Sequence, residues 1–125
     1  MFERRIQNQL HEWAEKNNIK PLILRGARQV GKTTIVEQFG KEFDNFLSLN
    51  LEKKEAKDLF ESTDDVKMLL PLLFLYDNKP QRPGRTLLFI DEIQSSPQAV
   101  ALLRYFYEEL PELYVCLLYT SDAAD

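Results

Sequence analysis

The sequence is short of the residues from which several kinds of site are built. It has one cysteine and one histidine in 125 residues. A single cysteine closes no disulfide within the chain, and a lone His11 brings neither a metal-ligand set nor a nucleophile with it. No apolar run approaches the roughly 20 residues that a membrane-spanning helix needs. The N-terminus, Met1-Phe2-Glu3-Arg4-Arg5, lacks an apolar signal-peptide centre, so the expected compartment is the cytoplasm with no membrane partner. The formal net charge is −4, which gives no overall basic field to attract nucleic acid. Glycine is scarce as well, with four in all, and two of them, Gly26 and Gly31, fall close together.

Those two glycines frame the informative stretch. Gly26-Ala27-Arg28-Gln29-Val30-Gly31-Lys32-Thr33 fits G-x-x-x-x-G-K-[ST] without a gap. The run before it, Pro21 to Arg25, is short and apolar, as a buried strand should be. The run after it, Thr34 to Phe39, ends at Gly40 and suits a short helix with Ile35, Val36 and Phe39 inward. Strand, glycine-bearing loop and helix together make a P-loop. Gly26 and Gly31 allow backbone angles that let successive N–H groups face one concave nest. A polyphosphate would sit on those groups and on the positive end of the following helix. The candidate nucleotide-binding residues are therefore Gly26, Ala27, Arg28, Gln29, Val30, Gly31, Lys32, Thr33 and Thr34. Lys32 is expected to reach the β- and γ-phosphates of ATP, and the Thr33 hydroxyl to ligate Mg²⁺.

With 44% hydrophobic residues the chain can fill the core of one domain. Residues 2–17 read as an amphipathic helix, with Phe2, Ile6, Leu10 and Trp13 at helical spacing and Asn17-Asn18 as its stop. Trp13 reads as packing. Asn45 to Leu51 alternates with period two, as a half-buried strand nearer a sheet edge than the first. Lys53 to Phe60 reads as a short charged helix. Asp64-Asp65 can cap the next helix, where Val66, Leu69, Leu70, Leu73 and Phe74 form a stripe that Pro71 is expected to kink or split. The loop Asp77 to Arg85 carries Lys79, Arg82 and Arg85, the one basic cluster where nucleic acid could touch.

Thr86-Leu87-Leu88-Phe89-Ile90 is an apolar strand with Asp91-Glu92 at its end, a Walker B arrangement. Such a strand carries its Asp to the C-terminal edge of a parallel sheet, where open α/β folds bind ligands. Asp91 is placed to hold Mg²⁺ opposite Thr33, and Glu92 to polarise the water that attacks the γ-phosphate. The catalytic candidates are thus Glu92 and Lys32, and the metal candidates Thr33 and Asp91. A GTPase would show Asp-x-x-Gly and Asn-Lys-x-Asp; here the chain reads Asp91-Glu92-Ile93-Gln94 and Asn78-Lys79-Pro80-Gln81. Both checks fail, which favours ATP. Gln94 reads equally as a residue that orients the water or restrains Glu92 and as a polar loop residue. Ser95, Pro97 and Gln98 mark a helix start capped by Ser95, with Ala99, Leu102, Leu103, Phe106 and Leu110 inward and Pro111 at its end. Leu113 begins another strand.

The stretch from residue 1 to 115 resembles AAA-like P-loop ATPases of bacteria and archaea whose full chains add a C-terminal domain of uncertain role. The resemblance rests on Leu24 to Thr34, on Leu49-Asn50-Leu51-Glu52, and on Leu88-Phe89-Ile90-Asp91-Glu92-Ile93-Gln94. It implies an α/β fold of the additional-strand type, nucleotide binding at Gly26 to Thr34, and a Walker B role for Asp91 and Glu92. Such proteins continue into a polar sensor residue, a further strand and a helical lid, none of which is identifiable here. Residues 116–125, Cys116 to Asp125, look like the translated read-through of a transposase-type sequencing adapter. The expectation is a truncated ATP-binding domain over 1–115 followed by a non-native tail, with binding of ATP rather than hydrolysis within reach of this length of chain. Two other readings are open: a nucleotide-gated interaction module with a protein partner or a second copy, and a DNA-linked motor or loader.

Overall fold

Short apolar runs become the strands of a parallel sheet because helices cover both of its faces. The computed structural model describes residues 2–16, 19–27 and 32–121. In chain order the elements are α1 (Phe2–Ala14), β1 (Leu22–Ala27), α2 (Lys32–Gly40), β2 (Asn45–Asn50), α3 (Lys54–Glu61) and α4 (Val66–Tyr76). There follow β3 (Thr86–Asp91), a 3-10 turn (Ile93–Ser95), α5 (Pro97–Glu109) and β4 (Tyr114–Ser121). The sheet order is β1-β4-β3-β2 with every pair parallel. This is the expected α/β architecture, with an additional strand, β4, between β1 and β3.

The sheet's pleat divides the core into two. Leu88 and Ile90 of β3, with Leu47, Leu49, Val115 and Leu117, face Phe60, Leu69, Leu73, Leu102 and Phe106 of α3, α4 and α5. Leu87 and Phe89, with Leu24, Tyr114, Cys116 and Leu118, face Ile6, Leu10, Trp13, Ile35, Val36 and Phe39 of α1 and α2. Each such buried side chain is worth about 1.5–3 kcal/mol over leaving it in water. Trp13 is packing, as expected. Its ring meets Tyr114 edge-on, and its Nε1–H donates to the Lys20 carbonyl at 2.6 Å. His11 ties α1 to the end of α2: Nδ1 meets the Gln7 carbonyl at 2.8 Å and Nε2 the Glu42 carboxylate at 2.9 Å. The bond to Glu42 raises the His11 pKa above its ordinary value. An imidazole with acceptors at both nitrogens is fully satisfied only when protonated.

Several expectations shift. The first helix ends at Ala14, and Asn17-Asn18 lie outside the described residues. Pro71 sits inside an unbroken α4 and does not split it. The bond that Pro71 forgoes would have used the carbonyl of Lys67, on an exposed side of the helix where water can replace it. Strand β2 is no nearer an edge than β1, since each is an outer strand among the described residues. Strand β4 runs on through Cys116 to Ser121, and Cys116, Leu117 and Leu118 are buried. Burial pushes the Cys116 thiol's pKa well up.

The basic loop is tied to the fold by several of its side chains. The Asp77 carboxylate accepts from the Ser48 N–H at 3.2 Å, and Lys79 Nζ donates to the Phe46 carbonyl at 2.6 Å. The two side chains pair at 3.2 Å, so together they cover part of the outer edge of β2. Asn45 Nδ2 donates to the Arg82 carbonyl, and the Arg82 N–H donates back to Asn45 Oδ1. Gly84 at φ 123° is where the loop needs a left-handed residue; a Cβ there would also strike Asp44. The Arg85 guanidinium lies over Phe43 and Tyr114. Two of the three cations, Lys79 and Arg85, are thus engaged within the fold. Replacing Asp77 and Lys79 together by Ala should bare the β2 edge and raise aggregation, read as light scattering at matched concentration. An equally monodisperse double variant would count against the edge role.

Candidate functional site

The site lies at the C-terminal ends of the strands, and the local sequence explains how each piece reaches it. Strand β1 continues through Gly26 and Ala27, two residues further than the apolar run alone suggests, and α2 starts at Lys32. The loop that joins them, Arg28, Gln29, Val30 and Gly31, lies outside the described residues, as does the Lys32 side chain. Thr33 is half-buried in the first turn of α2, and Thr34 beside it is exposed.

Thr33 and Asp91 are brought together from opposite halves of the site. Thr33 Oγ1 donates to Asp91 Oδ2 at 3.2 Å. The other carboxylate oxygen, Asp91 Oδ1, is buried and has no hydrogen-bond partner among the described residues. Burial pushes the Asp91 pKa up, and the charges of Glu92 and Glu52 push the same way. The Thr33 hydrogen bond and the Glu92 backbone N–H act against them. Glu52 reaches this region because the Leu51 N–H donates to the Asp91 carbonyl at 3.0 Å, carrying the chain on past β2. Sequence reading noted the string around Glu52 without giving that residue a place; its one signal is its position just past the strand.

A carboxylate oxygen that is buried without a partner among the described residues is a place where a cation would be stabilising. Hydroxyl and carboxylate oxygens are the hard donors that Mg²⁺ prefers, and Mg²⁺ ordinarily takes only one or two protein oxygens alongside phosphates and water. No group of three or more His, Cys, Asp or Glu among the described residues could hold a metal without such help. Thr33 and Asp91 therefore fit Mg²⁺ carried in with a nucleotide.

Glu92 is 5% exposed and sits at φ 59°, ψ 47°, a left-handed conformation that costs a residue with a Cβ roughly 1–2 kcal/mol. The 3-10 turn that follows fixes it: the Ser95 N–H donates to the Glu92 carbonyl at 3.0 Å. Gln94 Nε2 donates to Glu92 Oε1 at 2.7 Å. Of the two sequence readings of Gln94, the contact with Glu92 is the one present. The cap of α5 is Ser96, not Ser95: Ser96 Oγ accepts the Ala99 N–H at 3.1 Å, with Pro97 first in the helix. The turn after Glu92 consumes Ser95, so the cap moves on by one. Gln98 does not close a capping box but donates to Asp64 at 3.0 Å. A cavity of about 320 Å³ bounded by Leu70, Thr86, Glu109 and Glu112 opens at the other end of the strands, where its carboxylates disfavour phosphate.

A family model described as an AAA domain matches residues 18–123. The chain belongs to the AAA domain family. That match spans the glycine-bearing loop, both Thr33 and Asp91, and all four strands. Among curated proteins no relative matches the chain. The family brings a nucleotide-binding, ATPase-like function in general terms, with Mg²⁺ as its usual companion, to the AAA domain described here.

Asp91 gives a pH test. Its folded pKa is raised, so its contribution to stability is present below the unfolded carboxylate value, about 3.9, and is lost as pH rises through the folded value. At neutral pH the nucleotide-free fold therefore carries the cost. Asp91→Asn should raise its melting temperature at pH 7 by roughly 2–5 °C, with the gain shrinking as pH falls toward 4. A lower melting temperature at pH 7 would contradict this account of Asp91.

Proposed function

We propose that this AAA domain binds ATP with Mg²⁺ and that Glu92 serves hydrolysis of the γ-phosphate. The observation that carries the proposal is the meeting of Thr33 with a half-buried Asp91 whose second carboxylate oxygen is buried and has no hydrogen-bond partner among the described residues. Lys32 and the backbone N–H groups of the loop would offset phosphate charge, and Thr33 and Asp91 would hold the metal. Magnesium, when bound, neutralises charge on the β- and γ-phosphates. Glu92 would orient a water molecule and accept its proton as the water oxygen bonds the γ-phosphorus and the bridging bond to ADP breaks. The products are ADP and inorganic phosphate.

Two substitutions test the roles separately. Lys32→Ala should abolish ATP binding, measured by calorimetry on the full-length protein; unchanged affinity would refute the P-loop assignment. Glu92→Gln should keep ATP affinity within about twofold and lower turnover by a factor of 100 or more, within the range for loss of a general base. A Glu92→Gln variant that hydrolyses at the parent rate would remove Glu92 from the mechanism.

A further inference from the structure

Glu92 is a buried carboxylate on a left-handed residue, and a group held at such a cost is held for a reason. Residues two apart on a regular helix do not face each other. Here the left-handed Glu92 and the 3-10 turn Ile93–Ser95 fold the chain so that Gln94 reaches back to Glu92 Oε1 at 2.7 Å. The turn is anchored on both sides. Ile93 is buried, the Ser96 N–H donates to its carbonyl at 3.2 Å, and the Ser96 hydroxyl caps α5 and reaches Glu61 at 3.4 Å. Gln94 thus stands on a rigid support with its amide aimed at the carboxylate, and the carboxyl group cannot turn without breaking that bond.

We infer that Gln94 is a positioning residue for ATP hydrolysis, its side-chain amide fixing the orientation in which Glu92 meets the attacking water. The inference rests on the hydrolytic reading of Glu92 above. A neutral amide suits the task, since its N–H donor fixes the carboxylate oxygen that it bonds. Orientation of a general base acts on the chemical step and leaves ground-state binding of ATP alone.

Gln94→Ala in the full-length protein should lower kcat about 10- to 100-fold with the KM for ATP unchanged within about twofold. Gln94→Glu, which keeps the size and loses the donor, should be at least as slow. On a Glu92→Gln background, adding Gln94→Ala should leave the residual single-turnover rate unchanged, because the residue acts through Glu92. The Gln94 side-chain NH₂ resonance should also move on Glu92→Ala, a readout that needs no turnover. Parental kcat in Gln94→Ala would overturn the inference. So would an equal loss on the Glu92→Gln background, or an amide resonance indifferent to Glu92. If Glu92→Gln itself turns over at the parent rate, the hydrolytic reading fails. If Glu92→Gln is slow and Gln94→Ala is not, only the role of Gln94 fails.

Discussion

The hydrogen bond from Thr33 to Asp91 joins segments 58 residues apart in sequence, and the strand order makes it reachable. With β4 between them, β1 and β3 run parallel at two inter-strand spacings, roughly 10 Å apart. That gap separates the C-terminal end of β1 from the acidic end of β3. The helix after the loop then swings Thr33 across to Asp91. The two hydrophobic layers fix the gap, because Leu87 and Phe89 pack toward α1 and α2 while Leu88 and Ile90 pack toward α3, α4 and α5. Any loss of packing on either face would move the two halves of the site relative to each other.

The acidic end of β3 is built against its own stability. Asp91 is half-buried with one buried oxygen that has no partner among the described residues, and Glu92 is buried on a left-handed backbone. Neither arrangement helps the nucleotide-free fold. Both become intelligible if a cation and a polyphosphate complete the site. The surrounding fold supplies the stiffness that holds them: the turn at Ile93–Ser95, the Ser96 cap of α5, and the pairing of Leu51 to the end of β3.

Much of this was legible in the residues. Four short apolar runs, two glycines and one Asp-Glu pair carry the fold class and the candidate site, because parallel strands and P-loops demand such residues locally. What the sequence concealed is long-range or conformational. The left-handed angle at Glu92 has no sequence mark, since glycine, asparagine and aspartate are the residues that advertise it, and so the cap falls on Ser96 where the capping-box spacing suggests Ser95. Pro71 reads as a break because pattern cannot tell which carbonyls face water. Lys79 and Arg85 read as a surface cluster, yet one covers a strand edge and the other stacks on Phe43 and Tyr114. The run Cys116–Leu118 looks foreign by its spelling, but an apolar run of that kind satisfies a central parallel strand whatever its origin.

The most direct test of the account is a crystal structure of the full chain with Mn²⁺ and a non-hydrolysable ATP analogue. The account predicts a metal peak bonded to Thr33 Oγ1 and contacting Asp91 directly or through one water, with the phosphates on the loop that precedes α2. A metal bound away from Thr33 and Asp91, or a nucleotide seated elsewhere on the fold, would contradict it.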